Sequence, residues 1–304
     1  MPPETVPEKK APKWRKPLLL LFKIIVTILC FWYISGKINF AEAFRALQAA
    51  NWTYLFLAVI AYVVSKIVSA YRLNIYFRNI KLHLPAWQNI KLYWLGMFYN
   101  LFLPGSISGD AYKVVLLNRR MGAPYKKTSA AVLLDRFSGL LGLGILLSVY
   151  GILVFDNLVF DAVLVGGSLV AVAVFYFVIK KFFPDFLPGF WPTLLGGLLV
   201  QAIQAVGIYL ILAALKIPLS QHEWLFIFLA ASAISVLPLS LGGGLGTREV
   251  VFAEGAGYFS LDPHLGVIIS LLFYVSSVAG AVWGAWFVFI DPLGKGTANG
   301  KRET

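Results

Sequence analysis

This sequence specifies an all-α integral membrane protein, a polytopic helix bundle, and three observations lead there. Hydrophobic residues fill 59% of the 304 positions, charged residues only 13%, and the mean hydropathy is +0.78. No water-soluble globule buries so apolar a composition. Runs such as "LLLLFKIIVTILCFWYI" and "LVFDAVLVGGSLVAVAVFYFVI" approach or reach the roughly 20 residues that cross about 30 Å of hydrocarbon. They lack the alternation over about ten residues that marks a β-barrel strand. Two further apolar segments are interrupted, at "LPGSISGD" and "LPLSLGGG", where proline and glycine end a helix at membrane depth.

The 26 Lys and Arg residues outnumber the 14 acidic ones, giving a net charge of +12. They cluster in short loops and tails, so the excess reads as topology rather than as nucleic-acid binding. A basic tail over 1–16 stays cytoplasmic, and a first span over about 17–35 runs outward. The segment 53–77 returns, delivering Arg78 and Lys81 to the inside. If 86–103 crossed fully, Arg119, Arg120, Lys126 and Lys127 would face outward, so this segment predicts a re-entrant hairpin. Segments 128–154, 158–179 and 193–215 then run out, in and out, with Asp156 and Asp161 outside and Lys180 and Lys181 inside. A last span over 264–290 leads to a cytoplasmic tail at 293–304 carrying Lys295, Lys301 and Arg302. What lies between is a second re-entrant hairpin, entered from outside. The expectation is about six spans plus two re-entrant broken-helix hairpins, in one transmembrane domain over 17–292. Both termini face the cytoplasm, and the membrane is the plasma (inner) membrane.

Pro104 and Pro238 stand 134 residues apart, and Leu, Pro, Ser and Gly fall in the same columns of the two breaks. Charge-derived topology makes the halves, about 17–155 and 156–292, antiparallel. Paired interruptions in opposed halves mark an inverted repeat with a central binding site. The breaks comprise Pro104, Gly105 and Gly109 in the first half, and Pro238, Gly242, Gly243, Gly244 and Gly246 in the second. Half-helices meeting there direct backbone N–H groups and positive dipole ends inward, with Ser106, Ser108 and Ser240 as further donors. Such a site prefers an anion.

Asp110, Lys113, Asp135, Arg136, Arg248, Glu249 and Glu254 lie in or beside apolar segments, where each costs about 2.5–3.5 kcal/mol at a helix centre. They must face one another or water. Arg248 and Arg136 suit bidentate phosphate recognition. Ion pairs of Asp135 with Lys113 and of Glu249 with Arg136 are the structural alternative for the acids. Lys23, Lys66 and Arg72 read as snorkelling residues nearer span ends. The tryptophans Trp14, Trp52, Trp87, Trp191 and Trp224 read as interfacial anchors.

Other chemistries find little support. Cys30 is the only cysteine, and His83, His222 and His264 have no ligand-like spacing, so neither a metal nor a cofactor is expected. The run "GGGLGTRE" lacks the Lys-Ser/Thr ending and the βαβ setting of a nucleotide loop. No cleavage site follows the first apolar run, which reads as an uncleaved helix.

With "NLFLPGSISGDAYK", "DRFSGL" and "LPLSLGGGLGTRE" in view, the chain resembles the lysylphosphatidylglycerol synthase transmembrane domain family over about 17–290. In that family the first motif carries Gly-Gly-Asp followed by Arg. Here Ser108 replaces the first of those glycines and Lys113 stands at the arginine. The third motif matches, including Gly244, Gly246, Arg248 and Glu249. The resemblance implies flippase-type lipid handling without the aminoacyltransferase reaction, whose soluble domain is not expected in the short segment after the last helix. The expected activity is therefore translocation of an anionic phospholipid or a polyprenyl lipid, its head group meeting Arg248, Arg136 and Lys113. Asp110 and Glu249 orient these cations or select an amine-bearing head group, and Asn100 and Asp135 are further expected substrate contacts. The alternatives are an integral-membrane transferase acting on a lipid phosphate, with Asp110 and Asp135 as its acid pair, and a noncatalytic scaffold for a partner enzyme. A lipid-modifying enzyme and a second copy of the chain are the expected protein partners.

Overall fold

The computed structural model describes residues 48–102, 108–236 and 246–294, together with positions 21, 25, 32 and 45. The expected first span, 17–35, and the tails lie almost wholly outside the described residues, as do Pro104, Gly105, Ser106, Pro238, Ser240, Gly242, Gly243 and Gly244. The rest is an all-α membrane bundle. In chain order the helices are α1 (Trp52–Asn79), α2 (Ala86–Phe102), α3 (Ser108–Met121), α4 (Tyr125–Val154) and α5 (Leu158–Phe182). A 3-10 turn (Pro184–Gly189) leads into α6 (Phe190–Ala214), followed by α7 (Glu223–Ser235), α8 (Thr247–Tyr258), α9 (Pro263–Val282) and a last turn, α10 (Trp286–Phe289). Five described helical segments are long and apolar enough to cross a membrane: α1, α4, α5, the 3-10 turn with α6, and α9 through α10.

The short helices form two pairs, α2 with α3 and α7 with α8, and side-chain contacts fix which end of the bundle each pair starts from. At one end, Lys127 in the first turn of α4 pairs with Asp185 at 2.7 Å, and Asn79 at the end of α1 donates to the Phe186 carbonyl at 3.3 Å. Arg120 at the end of α3 pairs with Asp291, beyond α10, at 2.6 Å. The pair α2–α3 therefore begins and ends where α1, α5 and the last turn end. At the opposite end the Phe155 ring, just past α4, packs on Phe160, Phe226 and Phe259, which mark the starts of α5 and α7 and the end of α8. The pair α7–α8 begins and ends there.

Helix ends repeat their local chemistry. Lys81, Lys216 and Ser260 adopt left-handed backbone at φ 60°, 59° and 55° after α1, α6 and α8. Each makes the same double closure: Leu82 N–H to the Phe77 carbonyl with Lys81 to Arg78, Ile217 to Leu212 with Lys216 to Ala213, and Leu261 to Ala256 with Ser260 to Gly257. This is the Schellman arrangement, which satisfies carbonyls that a helix end leaves unpaired.

Two apolar cores flank the shared helices α1, α4, α6 and α9. One surrounds Tyr76, Phe77, Leu92, Leu117 and Phe190, under the first short pair; the other surrounds Trp224, Phe228, Phe252 and Ile208, under the second. Trp224 is thus a core residue, 1% exposed, with its indole N–H on Gln221 at 2.9 Å, rather than the interfacial anchor expected of it. Trp52, Trp87 and Trp191 are exposed.

The centre of the bundle is drawn together by small residues and one ion pair. On α4, Ser138 and Gly142 are four apart and both meet Gly197 of α6: a Cβ at Gly197 would stand 2.5 Å from the Ser138 carbonyl oxygen, and one at Gly142 would stand 2.7 Å from the Gly197 carbonyl carbon. Helices in lipid associate through such close backbone approach. Arg72 of α1 lies in the space left by Gly139, Gly196 and Gly197 and donates through Nε to Asp135 of α4 at 2.7 Å. Both side chains are buried. This corrects two expectations. Arg72 does not snorkel, and Asp135 pairs with Arg72 instead of Lys113, because the glycines bring α1 and α4 within reach across the bundle.

Asp135→Asn leaves the Arg72 guanidinium buried without a counter-charge and is expected to lower stability by about 3–5 kcal/mol, read as denaturation of the purified protein in detergent. Replacing both partners, Arg72→Met with Asp135→Leu, should recover most of that loss. Gly197→Ala forces α4 and α6 apart, with an expected loss of about 1–3 kcal/mol. Gly166→Ala on α5, where a Cβ meets nothing within 4 Å, should leave the melting temperature unchanged.

Candidate functional site

Where the two short pairs meet, a cavity of about 330 Å³ opens between the end of α2, the end of α7 and the start of α8, a volume within the range of small-molecule sites. Its walls combine cations, hydroxyls and rings: Lys66 and Tyr62 of α1, Tyr93 and Asn100 of α2, Arg136 of α4, Gln204 of α6, Ser232 and Ser235 of α7, Arg248 of α8, and Phe273 and Ser277 of α9. No carboxylate stands among the described residues of this lining.

The wall on the first short pair is organised by Asp110, the third residue of α3. Its carboxylate accepts from Lys113 Nζ at 2.9 Å and from Arg136 Nε at 2.5 Å, tying α3 to α4. Lys113 is buried, with its ammonium 4.2 Å from the Tyr93 ring centre. Gly96 makes room for it, since a Cβ there would collide with the lysine Cε. Asn100 has a different task from the ligand role expected of it. Its Oδ1 accepts the Gly109 N–H at 2.8 Å and caps α3 across the break, while its side chain also borders the cavity. Gly109 is not itself a break: the helix resumes at Ser108, and Gly109 permits α3 to touch the Gly96 carbonyl. Ser108 is engaged within the fold.

Glu249 shapes the second wall and occupies the corresponding third position of α8. Its Oε2 accepts the Gly246 N–H at 2.6 Å and its Oε1 accepts the Ser270 hydroxyl at 2.8 Å, tying α8 to α9. It does not pair with Arg136, whose carboxylate is Asp110. Gly246 sits at φ 88°, a conformation that favours glycine. The next cation is left over. Arg248 is 6% exposed, its guanidinium lies 4.6 Å from the Phe273 ring centre, and among the described residues Nε and Nη2 meet no hydrogen-bond partner. Buried guanidinium nitrogens without acceptors are costly unless a ligand supplies them.

The structure therefore gathers Arg248, Arg136 and Asn100 on one cavity, holds Lys113 and Asp110 behind its wall, and gives Asp135 and Glu249 to pairing and capping. Asp110 and Asp135 are bound to different cations. Glu254 is exposed. Lys66 is the site residue that sequence reasoning misplaced. Its ammonium stands 4.7 Å from the Tyr62 ring centre on the cavity wall. The signal was present, because Lys66 lies midway along the 28-residue α1, too deep to reach an interface by snorkelling. Tyr62, Tyr93 and Ser232 were marked by nothing in their local sequence. Among the described residues no cluster of His, Cys, Asp and Glu is arranged to hold a metal.

An archaeal protein, UPF0104 membrane protein PH1989 from Pyrococcus horikoshii, is 23% identical over 124 residues, covering 40% of this chain and 36% of that protein. The match thus spans about a third of the relative's length. The family described as the lysylphosphatidylglycerol synthase TM region matches residues 20–284, which include both short helix pairs and the cavity between them. On that coverage, this chain belongs to the lysylphosphatidylglycerol synthase TM region family.

Proposed function

We propose that the protein is a flippase-like translocator that moves a lipid with an anionic head group between the leaflets of the plasma (inner) membrane. The observation that carries this reading is Arg248: a buried guanidinium, two of whose nitrogens meet no hydrogen-bond partner among the described residues, on a residue that lines a cavity with further cations and hydroxyls. A phosphate oxygen is the acceptor that geometry lacks. Arg136 also borders a second cleft of about 350 Å³ between α3 and α4, lined mainly by apolar residues including Val114, Val115, Val132 and Leu133. That cleft gives acyl or prenyl tails a path to the bilayer while the head group stays on the cations.

The two short pairs act as re-entrant hairpins from opposite leaflets, and the chain is an inverted repeat. Several features support this. The order α1 to α4 recurs as α6 to α9, at the spacing of the two prolines. The left-handed caps Lys81 and Lys216 end equivalent helices. The third residue of each resumed helix is an acid tied to the long helix that follows, Asp110 to Arg136 and Glu249 to Ser270. With a first span at 17–35, each half crosses three times, and an odd count reverses the second half relative to the first. Termini on the cytoplasmic side follow from the basic end of the bundle, where Arg120 and Lys127 lie.

The test is reconstitution in liposomes with a fluorescent anionic phospholipid and a membrane-impermeant quencher. Arg248→Ala should slow translocation about tenfold or more, the value of a charge-assisted contact of about 1.5–3 kcal/mol, with an unchanged melting temperature. A folded variant moving lipid at the wild-type rate would reject the reading. Ser129→Trp, at an exposed position on the tail cleft, should slow translocation while leaving head-group binding intact.

A further inference from the structure

We infer that the cavity selects head groups carrying about two negative charges, a terminal phosphate monoester or a diphosphate, over singly charged phosphodiesters, and that Lys66 sets this preference together with Arg248. The inference rests on reading the cavity as a head-group site. Five cations stand in or directly behind its walls: Lys66, Arg72, Lys113, Arg136 and Arg248. Three carboxylates accompany them. Asp135 answers Arg72, and Asp110 is shared between Lys113 and Arg136. Glu249 is held by the Gly246 N–H and the Ser270 hydroxyl. Five cations against three carboxylates leave an excess of two positive charges.

That excess sits where water is scarce. Rings pack on Lys66 and Arg248, Tyr62 on one and Phe273 and Phe228 on the other, and among the described residues neither makes a direct ion pair with a carboxylate. Rings soften the desolvation of a cation but leave its charge in place. A ligand with one negative charge halves the imbalance, and a cationic aminoacyl head group would add to it. A phosphate monoester carries about −1.5 to −2 at neutral pH and three acceptor oxygens, which matches both the excess and the donors of Arg248, Lys66 and Ser232. A lipid head group and a soluble phosphate share this chemistry.

The experiment measures binding to the purified full chain in nanodiscs, with dioleoyl phosphatidic acid, dioleoyl phosphatidylglycerol and inorganic pyrophosphate as probes. Phosphatidic acid should bind about tenfold or more tightly than phosphatidylglycerol, the factor worth one further charge-assisted contact. Lys66→Gln should bring the ratio towards one, and Lys66→Arg should keep it. Melting of the ligand-free Lys66→Gln protein checks the fold, and no loss is expected because the substitution removes an unbalanced charge. Competition between pyrophosphate and phosphatidic acid would support charge selection in one cavity. Equal binding of the two lipids would overturn the inference, and transport of phosphatidylglycerol by the same protein in liposomes would leave the translocator standing. Pyrophosphate binding without any lipid binding would support the charge preference, assign it to a soluble compound, and reject the translocator.

Discussion

A helix interrupted at membrane depth exposes backbone groups that lipid cannot satisfy, and each one left unpaired costs several kcal/mol. That constraint organises this bundle. After each interrupted stretch of sequence, the helix that follows has an early N–H group taken by a side chain. Asn100 reaches across from α2 to Gly109, and Glu249 turns back to Gly246. The helices α1, α4, α6 and α9 form the shared frame around these two pairs, and α5, tied mainly to α4, remains largely exposed.

Cations add a second demand, since each guanidinium or ammonium needs both space and an answer to its charge. Space comes from glycine: Gly139, Gly196 and Gly197 leave room for Arg72, and Gly96 leaves room for Lys113. The glycines of "DRFSGL" and "LLGGLL" are thus complements of a charge on another helix as well as points of helix contact. Charge is answered in two ways. Arg72, Lys113 and Arg136 have carboxylates, whereas Lys66 and Arg248 have rings and the open cavity.

This division explains what was legible in the sequence. The long helices were, because an apolar run of spanning length has few competing readings. The expected breaks at Pro104 and Pro238 lie outside the described residues. Side-chain pairing was not. Asp135 and Arg72 are 63 residues apart, and helices such as α4, apolar on every side, give no phase to say which face turns inward. Lipid is as apolar as a leucine core, so the contrast that orients a helix in water is missing. Trp224 failed for the same reason, since an aromatic residue near a helix start serves an interface or a core equally well.

The two short helix pairs start their second helices differently, and the difference leaves Arg248 beside the cavity. In the first half a neutral amide, Asn100, caps the resumed helix, which frees Asp110 to answer two cations. In the second pair the acid itself caps the helix and accepts from Ser270, and among the described residues Arg248 makes no ion pair with a carboxylate. Position 136, which supplies a cation on α4, corresponds at the proline spacing to Ser270 on α9. A cap on one side where the other side has an ion pair leaves a buried positive charge beside the cavity. On the reading proposed above, an anion would answer that charge, and the same side chains that cap the short helices would set the need for it.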